Sequence, residues 1–369
     1  MRIDGQPGPT IGLFGTQVPH ELLYALGCTP VRVFPTATKP TAAEAYLPRN
    51  FCALNRLILS SFLENGQASL DAVIFSDEDD ATRRLHDVWR ACVPVPVWGF
   101  VEVPRAATPL AIDRYAELLA RLSADLEGQT GRSLSPDDLR GAITVYNAQR
   151  VLLGNLKRHW MAGGLDTSTY RRLRRTALTR DPLTANTWLA QAVQEIQGED
   201  HERVSPDYPK NREISEGKPP GRRLLLMAEL AAPDGLVRLV EAKGAQVVAE
   251  DSDLDERSST ETVSADAGSV EVLLVGLAKA YLSKPPGPRL RDLPRRLEYL
   301  SLLVAERGVQ AAVCAYSKFC DLYLAEFPVV KAHLEGLGVA VLLLELEDEA
   351  IGGQHRTRTE AFLEMLNER

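Results

Sequence analysis

Two cysteines stand where a chain places reactive groups. Cys52 lies in Tyr46-Leu47-Pro48-Arg49-Asn50-Phe51-Cys52-Ala53-Leu54-Asn55-Arg56, where a loop enters a helix. Cys320 lies in Tyr316-Ser317-Lys318-Phe319-Cys320-Asp321, just past the end of a strand. The thiolate is the nucleophile and metal ligand of cysteine chemistry, and a helix N-terminus or a neighbouring lysine favours it. In open α/β sheets ligands collect beyond the carboxyl ends of the strands, so both loops are well placed. Spacing alone favours a structural role for both, because two cysteines so far apart do not define a metal site. Cys314, inside an apolar strand, and Cys92, beside a valine-proline run, read as small buried hydrophobes. Cys28, after the helix-ending Gly27, reads as buried or partly exposed.

Other chemistries lack their signatures. No glycine-rich loop ends in Gly-Lys-Ser/Thr, so nothing would cradle a triphosphate in the P-loop manner. Gly12-Leu13-Phe14-Gly15 is half of a dinucleotide fingerprint, and a tight strand-to-helix turn explains it as well. There is no Gly-x-Ser-x-Gly elbow and no His-Glu-x-x-His pair. The six histidines show no metal-ligand spacing and read as surface or capping residues.

The elements that must position the two cysteines read as α/β. Short branched and aromatic runs at Ile11–Phe14, Pro30–Phe34, Ala72–Phe75 and Pro96–Val101 predict strands of a parallel sheet covered on both faces, with a helix over Pro19–Leu26 ended by Gly27. From Pro109 to about Gln197 the pattern is helical. Ser135-Pro136-Asp137-Asp138 starts one helix with a capping serine, a first-turn proline and two acids, and it is expected to run to about Leu153. The run Arg171-Arg172-Leu173-Arg174-Arg175 reads as a solvated helix face. Polar, proline-bearing residues 198–221 predict a linker. Strands then return at Leu224–Met227, Gln246–Ala249, Gln310–Ala315 and Val339–Leu344, with a helix over Leu236–Lys243 closed at Gly244. The expected architecture is two Rossmann-like or flavodoxin-like parallel-sheet domains, residues 1–197 with a helical extension and 222–369, with a helical region between them.

The 369 residues carry 50 acids against 42 bases, a net charge of −8, and 6% aromatics. That balance makes nucleic acid a poor partner. No apolar run approaches the roughly 18 residues of a membrane span. The opening Met1-Arg2-Ile3-Asp4-Gly5-Gln6 lacks a secretory apolar region, and the five scattered cysteines are odd in number. Reduced thiols in a cytoplasm are the expectation.

Several strings together resemble the 2-hydroxyacyl-CoA dehydratase and benzoyl-CoA reductase family, especially its smaller, D-component subunits. Val18 to Arg32 looks like the family's opening helix and strand, and Tyr46-Leu47-Pro48 leading to Cys52 resembles its first cluster-cysteine loop. Pro136 to Leu153, with Asn147 and Arg150, fits its central helix. Ala278-Lys279-Ala280-Tyr281-Leu282, Lys318-Phe319-Cys320-Asp321 and Gly353 to Glu364 are similar to its C-terminal segments.

The resemblance implies a 4Fe-4S cluster held between two α/β domains by three thiolates. Carried over, the first ligand falls on Cys52 and the third on Cys320. The second falls on Asp79, because this chain has Asp79-Asp80 where the family usually has Cys-Asp. Three readings stay open: Asp79 ligates iron through oxygen, two thiolates recruit another group, or the cluster is lost. Met227-Ala228-Glu229 likewise stands where the family tends to carry a glycine turn.

The implied function is an iron–sulfur subunit that takes a low-potential electron from a separate ATP-hydrolysing activator. With a paralogous partner it would dehydrate a 2-hydroxyacyl-CoA through a ketyl radical, or reduce an aromatic acyl-CoA. The alternatives are a homodimeric iron–sulfur reductase of a small molecule without coenzyme A, and a non-catalytic subunit that stabilises its partner. A dimer, with itself or a paralogue, is expected.

Overall fold

In the computed structural model the described residues run from 8 to 368, apart from 66–69, 198–220, 259, 267 and 349. The first sheet is built from β1 (Thr10–Phe14), β2 (Thr29–Arg32), β3 (Ala72–Asp77) and β4 (Val97–Glu102). The helices α1 (His20–Ala25), α2 (Ala53–Asn65) and α3 (Asp80–Cys92) connect them. All pairings are parallel, in the order β2-β1-β3-β4. Parallel neighbours need helical crossovers, which cover both faces, so β3 is buried at every position.

Four helices follow: α4 (Pro109–Thr130), α5 (Pro136–Met161), α6 (Thr167–Leu178) and α7 (Pro182–Gln197). The second sheet repeats the first. Strands β5 (Arg223–Met227), β6 (Gln246–Asp251), β7 (Ala311–Ser317) and β8 (Ala340–Leu346) pair parallel in the order β6-β5-β7-β8. Its helices are α8 (Asp234–Ala242), α9 (Val270–Leu282), α10 (Leu293–Arg307), α11 (Asp321–Gly336) and α12 (Gly353–Asn367). The α/β fold with two parallel sheets is thus as the sequence predicts.

The halves share helices. Leu139, Ala142 and Ile143 of α5 sit in the first core, whereas Leu153, Leu156 and Trp160 of the same helix sit in the second. That second apolar stretch carries α5 to Met161, past the expected end near Leu153, because no stop signal precedes Gly163-Gly164. Conversely, Leu273, Leu274 and Leu277 of α9 pack into the first core. The predicted linker lies, save Gly221, outside the described residues.

The arginine run does not behave as a solvated face. Arg171 and Arg174 are buried, Arg171 bonded to Glu250 and Arg174 to the Leu254 and Asp255 carbonyls. Glu250 within β6 and Asp255 after it supply their counter-charges, since a charge leaves water only when paired and hydrogen-bonded. Among the described residues no helix is long and apolar enough to cross a membrane.

Candidate functional site

The carboxyl ends of both sheets face a common cleft, and three helices start there. Cys52 immediately precedes α2, Asp79 is the N-cap of α3, and Cys320 is the N-cap of α11. Each therefore sits at the positive end of a helix, where orphan backbone N–H groups point outward and favour negative charge. All three follow from local sequence: a loop-to-helix entry, an acid three residues before Thr82, and a strand-to-helix turn.

The structure brings the two cysteines together across the halves. Cys52 and Cys320 are both buried, in one apolar cluster with Tyr316 and Tyr323. Their thiols interact, and that interaction, followed by burial, pushes the Cys320 thiol well above its ordinary range. The Ala53 amide donates to the Lys318 carbonyl at 3.0 Å, tying the two loops. Behind Cys52, the buried Arg56 donates to the Arg49 carbonyl and reaches Glu347 at 3.4 Å. Before Cys320, Phe319 takes a left-handed backbone with φ of 61°. A bulky residue rarely adopts it, so the turn that aims Cys320 is strained.

Glu229, just past the end of β5, completes the thiol corner. Its carboxylate accepts from the Ser317 amide at 2.7 Å, and it hydrogen-bonds the Cys320 thiol. Burial nevertheless pushes its pKa upward.

Asp79 does not join this group. One carboxylate oxygen accepts from the Thr82 amide at 2.6 Å and the other faces Arg289 Nε at 3.2 Å. Arg289 also binds Asp253 at 2.8 Å and lies 3.7 Å from Glu78. Its guanidinium stands over the Tyr323 ring, 5.6 Å from the centroid. Asp253 is shared by Arg32 at 2.8 Å and Arg257 at 2.9 Å. Against burial, these three arginines hold its carboxyl down to about 2.

Glu78 shapes the facing loop by accepting from the Thr16 amide at 2.5 Å and the Gln17 amide at 3.1 Å. Gly15 permits this. With φ of 91°, a Cβ there would fall 1.8 Å from Ser76 Oγ and 2.1 Å from Glu78 Oε1.

Arg289, Asp253 and Glu78 carry much of this site, and nothing in the sequence analysis singles them out. The readable signal is the alternation Asp251-Ser252-Asp253-Leu254-Asp255 at a strand's carboxyl end. The family resemblance does point to Asn147, Arg150 and Tyr281, and they form a second buried unit. Arg150 pairs with Glu21, Tyr281 donates to Glu21 at 2.8 Å, and Asn147 exchanges hydrogen bonds with the Val263 backbone.

A cluster held by three ligands of one chain needs all three to face a common centre. Here two thiols do, and the third position is a carboxylate committed to a helix cap and a guanidinium. Among the described residues no group of three or more His, Cys, Asp or Glu is arranged to hold a metal ion. As folded, the residues do not fit a three-ligand cluster. What they form is a buried dithiol beside a closed network of ion pairs.

Comparison with known proteins places nearly the whole chain. The family described as 2-hydroxyglutaryl-CoA dehydratase, D-component, matches residues 15–366. The chain is 24% identical to the beta subunit of the lactoyl-CoA dehydratase of Anaerotignum propionicum, over 96% of this chain and 91% of that protein. It is 22% identical to the (R)-phenyllactyl-CoA dehydratase beta subunit of Clostridium sporogenes, with the same coverage. Identity to one of the subunits of the benzoyl-CoA reductase of Thauera aromatica is also 22%, over 85% of this chain and 79% of that protein.

Proposed function

Because the chain belongs to the 2-hydroxyglutaryl-CoA dehydratase D-component family, we propose that it is the smaller subunit of a two-subunit acyl-CoA dehydratase or reductase. In this reading it supports a paralogous partner that carries the redox centre. The observation that supports a supporting role is the Asp79–Arg289 ion pair standing where the family's middle cluster ligand falls. Arg289 also meets Asp253 and Glu78, and Asp253 in turn meets Arg32 and Arg257, so three guanidinium groups face three carboxylates and the site needs no further charge to be stable. The chain's contribution would be to present the cleft-facing ends of both sheets as a rigid surface. Arg32 of the first half pairs with Asp253 of the second, and Arg289 of the second with Asp79 of the first, so the two halves are locked to each other.

A second reading rests on a different observation, the contact between Cys52 and Cys320. If Asp79 left Arg289, these three would be the residues to hold a 4Fe-4S cluster, and the chain would receive a low-potential electron from an ATP-dependent activator. The cluster would supply the one-electron reduction that acyl-CoA dehydration or ring reduction demands.

The experiment is to reconstitute the cytoplasmic complex with its paralogous partner and activator, then assay 2-hydroxyacyl-CoA dehydration with Cys52→Ser/Cys320→Ser. The supporting role predicts activity and complex iron content within about twofold of wild type. Loss of both together selects the cluster-bearing reading.

A further inference from the structure

A second cavity opens on the other side of Asp253, and several of the donors lining it have no partner. It lies between the Gly15-Thr16 turn after β1, Arg32 at the end of β2, Gln149 and Arg150 on α5, and Lys284 just past α9. Its volume is about 40 Å³, room for a few waters or one small ion at roughly 10–15 Å³ per water. Three cationic side chains line it together with one carboxylate, Asp253, which two further arginines already share, while Glu21 pairs with Arg150 from behind the wall.

The hydrogen bonding of these groups is incomplete in one direction only. Arg32 gives Nη2 to Asp253, but its Nε and Nη1 are buried without an acceptor. Gln149 is 5% exposed, and its Nε2 is likewise buried without an acceptor. Lys284 is 4% exposed and spends one proton on the Thr16 carbonyl at 2.5 Å. Its ammonium lies 4.0 Å from the Tyr281 ring centroid. Arg150 is held by Glu21 and Asn147 and offers no free donor. A buried donor left unpaired costs about 1–3 kcal/mol, so a row of orphan donors in one cavity marks a missing acceptor.

We propose that this cavity binds one small oxyanion of the short-carboxylate or bicarbonate class, with Arg32 and Gln149 as its donors and Lys284 as its counter-charge. Its volume suits a planar anion of about four heavy atoms. Burial, with Arg150 and Arg32 adding to it against Glu78 and Glu21, pushes Lys284 down to about 7. His20 stays uncharged there, since burial takes it to about 3. The proposal is independent of whether iron binds at the cysteines.

The test is calorimetric titration of the full chain with acetate and with bicarbonate near neutral pH, against chloride at equal ionic strength. Saturable one-site binding of either anion is expected. Acetate alone would assign a metabolite carboxylate, and bicarbonate alone an inorganic ligand. Gln149→Leu breaks no ion pair and should weaken binding about tenfold, the equivalent of one hydrogen bond. Arg32→Met should abolish it, with the thermal melt confirming a folded chain. Absence of saturable binding by both anions, or a Gln149→Leu protein that binds as tightly as wild type, overturns the proposal.

Discussion

The two sheets have the same strand order and very different loads of charge at their carboxyl ends. Beyond β3 the acids Asp77 and Asp79 meet Arg83, Arg105 and Arg289, and Arg83 and Arg105 are partly open to solvent. Beyond β6, Asp251, Asp253 and Asp255 are each about 1–2% exposed and meet Arg257, Arg296, Arg174 and Arg32. The first end is a rim and the second is a buried ionic core. The buried acids recruit arginines from the other half, so the interface between halves is ionic as well as apolar. Topology repeats because βαβ sterics allow few solutions. Charge does not.

The contrast is broken most severely at Asp253. Asp253→Asn leaves Arg32, Arg257 and Arg289 short of a counter-charge, and removing one partner of a buried network costs about 3–5 kcal/mol. Urea unfolding should show that loss. A similar cost from Asp80→Asn, whose Arg84 partner is exposed, would erase the distinction between core and rim.

Acid should attack the same residue. The folded Asp253 carboxyl sits at about 2 against an ordinary 3.8, so the native state binds its proton later than the unfolded chain. Its stabilisation is present above about pH 4 and is lost as the pH falls towards 2, on the order of 2 kcal/mol. Melting temperatures across that window should therefore decline in wild type and decline less in Asp253→Asn.

At the rim the effects shrink. Asp79→Ala removes a helix cap and a partly buried ion pair together, for about 2 kcal/mol. Asp166→Ala removes a cap alone, from α6, for about 1 kcal/mol. Equal costs would mean that Arg289 gains nothing from Asp79. Asp80→Ala, breaking the exposed pair with Arg84 on α3, should move stability by less than about 0.5 kcal/mol.

Much of this is legible in the residues. Among the described residues all eight strands lie on the apolar runs that predict them, and Ser135-Pro136 starts α5 as capping chemistry requires. Cys52 and Cys320 stand out because helix entries and strand ends are local features. Their mutual contact does not, since nothing local relates positions so far apart. The Asp79 departure is visible only against the family pattern, and its pairing with Arg289 depends on a loop 210 residues away. Arg171 and Arg174 escape the sequence pattern for the same reason. A basic run reveals its charge but not the buried acids that will meet it.

Whether the cleft is an ion-paired dithiol or an iron site is decided by counting iron and acid-labile sulfide per chain, after anaerobic purification and reconstitution of the isolated wild-type protein. With Asp79 committed to Arg289, less than about one iron per chain and no sulfide is expected. About four irons with matching sulfide, lost in Cys52→Ser and Cys320→Ser, would contradict the supporting role and make this chain a redox subunit.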